Sequence, residues 1–300
     1  MGNQQWECKE QWSSENKGRI AVVTDSNSGI CQDNTDGIYV IPMPISMNGV
    51  TYYEGVDLSQ EEFYTKLTAD EEVLTSTPVA GEVIHCFESL LQWYEEVLYL
   101  PMSSTLSSSC QNAMMLAQEF DGKVQVIDGR RISVPQKQMV YDIKMLIECG
   151  WDARQIKETM ERQALDSVIF IAVDTLKYLK KGGRITKATA MIGEMLHIKP
   201  ILRIQGGVLD IYKKARTMKS AKALMLEAIQ KECEDILGIT PEEAHFEVAY
   251  SGVDSTEAKE MKKKLESMYP QREVIMDPLT WSIACHTGPN ALGIACTKVI

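Results

Sequence analysis

Residues 99–115 read YLPMSSTLSSSCQNAMM. The apolar run Val97–Pro101 reads as a strand, and the segment from Ser107 to Phe120 reads as a helix. Between and at the start of these lie six hydroxyls (Ser103, Ser104, Thr105, Ser107, Ser108, Ser109) and no charge. An ordinary surface turn mixes Gly, Pro, Asn and charged residues. A strand that passes through a turn into a helix is half of a βαβ unit, and it places the turn at the carboxyl end of the strand, where open α/β sheets bind ligands. A helix N-terminus adds free N–H groups and a positive dipole end, so this turn suits one small anion. The competing reading makes Ser107 a simple N-cap with the other serines solvated.

The same alternation extends outward. Arg19–Thr24 reads as a strand ending at Asp25-Ser26, and Ile38–Ser46 as an edge or irregular strand broken by Pro42 and Pro44. Ser59–Glu62 (SQEE) is a capping box that opens a helix. Further helices are expected over Glu82–Tyr94 and Pro135–Cys149, with a strand at Val124–Asp128 between them. Strands alternating with helices predict parallel pairing with helices on both faces. Beyond about residue 160 the pattern changes. A strand at Val168–Val173, a helix over Thr186–His197 and two strands flanking Gln205-Gly206-Gly207 predict antiparallel pairing around a hairpin. The expected fold class is therefore α/β with two domains: a polar tail at 1–18, an α/β/α parallel-sheet domain at 19–160, and an α+β domain with antiparallel strands at 161–300.

Composition bounds the function. Of 300 residues, 44% are apolar and 24% charged, the balance of a globular protein. A formal net charge of −11 argues against nucleic acid or an anionic membrane surface as main partner. No apolar stretch is long enough to span a bilayer, and the polar N-terminus lacks a signal-peptide core, so a cytoplasmic location is expected. Eight cysteines without C-x-x-C spacing read as buried reduced thiols, and four histidines are too few for a His-built metal site, so no metal and no cofactor are expected.

Other motifs stay open at this level. LTSTPV (residues 74–79) repeats the neutral hydroxyl chemistry, with Thr75, Ser76 and Thr77 ahead of a helix. YLKKGGRITK (178–187) sets Lys180, Lys181, Arg184 and Lys187 around a Gly pair, either as a solvated face or to aim Arg184 at a partner. Neither G-x-x-x-x-G-K-[ST] nor G-x-G-x-x-G occurs, so nucleotide binding has no motif behind it. A serine hydrolase is the rival reading, with Ser104, His286 and Asp25 or Asp128 as a triad, although SSTLS lacks the G-x-S-x-G elbow.

Taken in order, VVTDS (22–26), VDLSQEEFY (56–64), LTSTP (74–78), MSSTLSSSCQNA (102–113), VQVID (124–128), LKYLKKGGRITKATAMIGEMLHIKPIL (176–202), GVLDIYKKARTMKSA (207–221) and HTGPNALG (286–293) resemble the DegV family of fatty-acid-binding proteins. Some of its members are the acyl-carrying subunit of a bacterial fatty acid kinase. The resemblance implies a long-chain fatty acid lying between the two domains, and a protein without catalysis of its own. It implies a carboxylate held by Thr75 and Ser104, with Ser76, Ser103, Ser107 and His286 beside it. It implies an acyl chain lined by Ala190, Met191, Ile192, Met195, Leu196 and Ile198. Arg184, Arg216 and His286 are implied at the face that docks a separate kinase. Three departures from the family pattern stand out: Ser108 and Asn290 where a Gly is usual, and Gly129 where a Ser is usual.

Overall fold

The computed structural model describes residues 18–31, 37–69, 72–185, 198–233, 237–270 and 272–300. In chain order the elements are β1 (Gly18–Asp25), β2 (Ile38–Ile41), β3 (Pro44–Met47), β4 (Val50–Tyr53), α1 (Gln60–Thr68), β5 (Val73–Thr75), α2 (Ala80–Leu90), β6 (Tyr94–Leu100), α3 (Ser109–Ala117), β7 (Val124–Val126), α4 (Val134–Glu148) and α5 (Ala153–Arg162). They continue with β8 (Ser167–Ala172), α6 (Lys177–Lys181), β9 (Lys199–Gln205), β10 (Val208–Ala215), α7 (Met218–Lys231), β11 (Ala244–Tyr250), α8 (Thr256–Met268), β12 (Val274–Pro278), α9 (Trp281–Thr287) and β13 (Leu292–Lys298).

Two main sheets organise these elements, and together they are the expected mixed α/β architecture. The first is parallel throughout, in the order β2-β1-β6-β7. Val22, Leu98 and Leu100 point to α4 and α5, while Val23, Val97 and Tyr99 point to α2 and α3, so apolar side chains cover both faces. The second has six strands in the order β10-β9-β8-β13-β11-β12, antiparallel except for the β11–β12 pair. Val168 and Phe170 on β8, with Leu292 and Ile294 on β13, pack under α7 and α8. The opposite face, carrying Ile169 and Ile171, turns toward the carboxyl ends of the parallel strands.

Local signals explain several boundaries. The Ser59–Glu62 capping box forms both bonds, at 3.2 and 2.8 Å. Asp152 and Gln155 cap α5 in the same way. At the β9–β10 hairpin Gly206 and Gly207 take φ of 57° and 78°, the two positive values that a two-residue turn of matching twist requires. The stretch expected as one irregular strand at 38–46 is two strands in different sheets. Pro42 and Pro44 withhold N–H groups, so β2 stays in the parallel sheet and β3 starts a small antiparallel sheet, β4-β3-β5. The helix expected over Thr186–His197 lies outside the described residues. The cysteine reading needs correction: Cys31 and Cys149 are exposed, and Cys233 and Cys296, 63 residues apart, stand sulfur to sulfur in the core under α7, in position for a disulfide.

The small sheet clamps α9. Phe63 of α1 stacks on Trp281, with ring centroids 4.7 Å apart, and the indole N–H donates to Gln60 at 2.5 Å. Glu54 accepts a 2.9 Å hydrogen bond from the Trp281 backbone N–H. Burial pushes the Glu54 carboxyl up to about 7. A carboxyl bound more tightly to its proton in the folded state contributes fully below its ordinary value near 4.5, and that contribution is lost as pH climbs through 7. Gln at this position keeps the acceptor and carries no charge. Glu54→Gln is expected to match the parent at pH 4 and exceed it at pH 8 by about 3 kcal/mol. Thermal unfolding at the two pH values checks this, and equal midpoints at pH 8 would refute it.

Candidate functional site

A cavity of about 300 Å³ lies between the inner face of the six-stranded sheet and the carboxyl ends of the parallel strands. Its walls are mostly apolar. Ile169 and Ile171 of β8 and Leu202 and Ile204 of β9 form one side, Met43, Met102, Ile132 and Val134 the other, and Gly293 and Ala295 of β13 part of the floor. This is the concave, mainly apolar shape with few polar groups that suits an apolar ligand carrying one polar end.

One end is polar. Thr75 at the end of β5 and His286 on α9 are hydrogen-bonded, Oγ1 to Nε2 at 3.0 Å, and Ser76, Thr77, Ser107, Ser108 and Arg184 complete that part of the lining. His286 Nδ1 is buried without a partner among the described residues. A proton there would be an orphaned donor, so the network assigns the proton to Nε2, which donates to Thr75 Oγ1. Thr75 then keeps its own hydroxyl proton for a ligand. Burial, and secondarily the Arg184 charge, push His286 down to about 4, so the ring is neutral near pH 7. Beyond the Thr75–His286 pair lies a second pocket of about 290 Å³ that shares these two residues and Arg184 and adds Lys177 and Lys181.

Glycines seat this end. A Cβ on Gly182 would fall inside the His286 imidazole, and a Cβ on Gly288 would strike the Tyr178 ring, so α6 and α9 interlock through two missing side chains. The Gly pair of residues 182–183 therefore first makes room for His286, and Gly183, at φ 68°, then turns the chain toward Arg184.

The hydroxyl turn divides its work. Ser107 lines the cavity, and its Oγ lies 2.8 Å from Ser109 Oγ. Ser108 already has helical φ and ψ, and Ser107 Oγ accepts from Ser109 N–H at 3.2 Å, so Ser107 caps the helix as well as lining the cavity. Ser103 and Ser104, expected beside the carboxylate, are not among the lining residues. Ser104 donates its hydroxyl to Asp128, which fastens the turn to the end of β7. Ser103 bonds Thr105 at 2.8 Å, and Gly207 sits so close to both hydroxyls that a Cβ would overlap them. The tip of the β9–β10 hairpin rests on this pair. Sequence reading recognised the hairpin and the hydroxyls separately and had no signal joining them.

The remaining expected residues are scattered. Arg184 is exposed, donates to Gly182 O at 2.6 Å, and lies at the polar end of the cavity. Arg216 follows β10 at the end paired with Lys199, is exposed, and does not line the cavity. Ile198 is half-buried and outside the lining, while Ala190, Met191, Ile192, Met195 and Leu196 lie outside the described residues. The hydrolase pairing is not formed: Ser104 bonds Asp128, His286 bonds Thr75, and Asp25 is fully buried. Asp25 instead accepts from Met102 N, Asn27 N, Asn27 Nδ2 and Gln136 Nε2, tying the ends of β1 and β6 to α4. Among the described residues no cluster of three or more His, Cys, Asp or Glu could hold a metal, and no helix is long and apolar enough to cross a membrane.

The departures from the family pattern have local explanations. Ser108 has φ −73°, a value any residue adopts, so no Gly is needed there. Asn290 has φ 58°, the left-handed region in which Asn substitutes for Gly at least cost. Gly129 packs against Met139 and Leu100, where any side chain would overlap both.

Comparison with known proteins agrees with this architecture. A family model described as an uncharacterised protein of the DegV family matches residues 19–299. A DegV domain-containing protein of Staphylococcus aureus is 30% identical over 279 residues, covering 92% of this chain and 98% of that protein. A DegV family protein from Thermus thermophilus, described by its fatty acid binding, superposes with a TM-score of 0.84 at 29% identity over 94% of this chain and 100% of its own. A fatty acid binding DegV family protein from Streptococcus agalactiae does so with a TM-score of 0.84 at 27% identity, again over 94% and 100%. With a family model spanning nearly its whole length and relatives covered end to end, the chain belongs to the DegV family.

Proposed function

We propose that this protein binds a long-chain fatty acid, with the acyl chain in the cavity and the carboxylate at its Thr75–His286 end. The observation that carries the reading is a mostly apolar cavity ending in a neutral, hydrogen-bonded Thr–His pair beside Arg184. Each methylene leaving water contributes about 0.8 kcal/mol, so the chain supplies most of the affinity and the polar end fixes its direction. Fatty acid binding by structural neighbours of 27–29% identity supports the same reading. Thr75, Ser76 and Ser107 donate to the carboxylate, and Ser103 and Ser104 hold the turn. The ligand lies between an N-terminal unit of residues 19–160 and a C-terminal unit of residues 161–300.

The protein is a carrier and not a catalyst. The outer pocket with Lys177, Lys181 and Arg184 opens on the carboxylate end, and basic groups there suit an incoming phosphoryl group or the acidic face of a separate fatty acid kinase. Mass spectrometry of an organic extract of the purified protein, with ester turnover measured in parallel, is the test. A stoichiometric long-chain acid with no turnover is expected. An empty protein that hydrolyses esters would reverse the assignment.

A further inference from the structure

The cavity has a second polar station, away from Thr75 and His286. It comprises Asn27, Ser133 and Ser282, set among Met43, Met102 and Val134. Ser133 is the N-cap of α4, a 15-residue helix that no side chain caps. A serine in that position ordinarily gives its hydroxyl to the first-turn N–H groups. Here the backbone is held at φ 59°, ψ −140°, a conformation costly for any residue with a Cβ, and its N–H is bonded to Asn27 O at 3.1 Å. The hydroxyl is 8% exposed as part of its residue, lines the cavity, and has no hydrogen-bond partner among the described residues. The hydroxyl is not among the orphaned buried atoms and faces the cavity space, so a bare alkyl chain alongside would bury it unsatisfied, which costs free energy.

Its neighbours are already committed. Ser282 donates to Asn27 Oδ1 and sits 3.3 Å from Thr280 Oγ1, while Asn27 Nδ2 donates to Asp25 and contacts Met102 Sδ. Ser133 therefore holds the station's free donor, and Ser282 keeps accepting capacity beside it. Among the described residues no cationic side chain lines this part, and the Asp25 carboxyl stands directly behind Asn27, so a neutral oxygen is favoured over an anion. Ser282 and His286 are four residues apart on one face of α9, which sets the station about 6 Å along the helix from the polar end.

Resting on the fatty-acid reading above, we propose that Ser133 and Ser282 receive a hydroxyl group carried on the acyl chain in its carboxyl-proximal half. The preferred ligand class is then a hydroxylated long-chain acid. The experiment uses delipidated protein and calorimetric titration with stearic acid, with hydroxystearic acids bearing the hydroxyl in the carboxyl-proximal half, and with ω-hydroxystearic acid as control. A proximal isomer is expected to bind about ten-fold more tightly than stearic acid, equivalent to about 1.4 kcal/mol, and the ω isomer no more tightly. In Ser133→Gly, which also relieves the positive φ, that ratio should fall to about one; Ser282→Ala should lower it too.

The inference is overturned if every hydroxylated isomer binds no better than stearic acid, or if the preference survives in Ser133→Gly. It is also overturned if Ser133→Gly weakens stearic acid and hydroxystearic acid by the same factor, because the station would then hold the carboxylate itself. Failure of all the acids to bind the parent protein would instead refute the fatty-acid reading, so the two outcomes are separable.

Discussion

Ala295→Leu is expected to weaken binding of a long-chain fatty acid about fifty-fold while the protein stays folded. Along β13, Leu292, Ile294 and Cys296 belong to the core beneath α7 and α8, whereas Gly293 and Ala295 occupy the alternate positions and help floor the cavity. Small residues there are what leave the space open. Leucine adds three carbons, which displace about three methylenes of ligand at about 0.8 kcal/mol each, close to 2.4 kcal/mol in all. The added side chain enters existing space, so the overpacking cost of about 1–3 kcal/mol that a filled core imposes should not fall on stability. Titration of stearic acid, with the thermal midpoint of the empty variant as control, is the measurement. Shorter acids should lose less than long ones. Undiminished affinity for stearic acid would show that the chain does not lie over Ala295.

The ease of reading this sequence varied with how local each determinant is. Parallel strands with covering helices were legible because β1 and β6 carry near-continuous apolar runs, and the cap at Ser59 is decided within three residues. The β3–β4–β5 sheet was not foreseen. Its strands are three or four residues long, and Val50 and Leu74 are exposed, so no alternation marks them. For the site, Thr75, Ser76, Ser107, Arg184 and His286 are legible in the sequence and do line the cavity. Ser104 stands out on equal grounds, yet its hydroxyl is taken by Asp128, 24 residues away, a pairing that no spacing rule reveals. The apolar walls were missed for a related reason. Ile169, Ile171, Leu202 and Ile204 look like ordinary strand residues, and only the antiparallel register of β8 and β9 puts them on one face of an open cavity. Ser133 gave no signal at all, since a positive φ at a serine is a property of the loop that holds it.

That contrast between Thr75 and Ser104 sets the second large effect. Thr75→Val, which keeps the shape and removes the hydroxyl, is expected to weaken fatty acid binding about ten- to a hundred-fold, whereas Ser104→Ala should change it less than about three-fold. The first estimate follows from losing a hydrogen bond to a charged group, about 1.5–3 kcal/mol. The neutral His286 ring donates from Nε2 to Thr75 Oγ1, leaving the hydroxyl proton free for the carboxylate in the proposed binding mode, so valine removes the donor and also orphans the imidazole N–H. Ser104 spends its hydroxyl on Asp128 and lies outside the cavity lining, so its loss loosens the turn without touching the ligand. The pH dependence gives an independent check through His286. Its value is pushed from 6.5 down to about 4 in the fold, so the unfolded chain binds the extra proton between those values. Stability of the ligand-free protein should therefore rise with pH from about 4 to 6.5, and His286→Gln should remove that part of the slope. Equal losses of affinity in Thr75→Val and Ser104→Ala would place the carboxylate on the hydroxyl turn instead, and no loss in either would remove it from this end of the cavity.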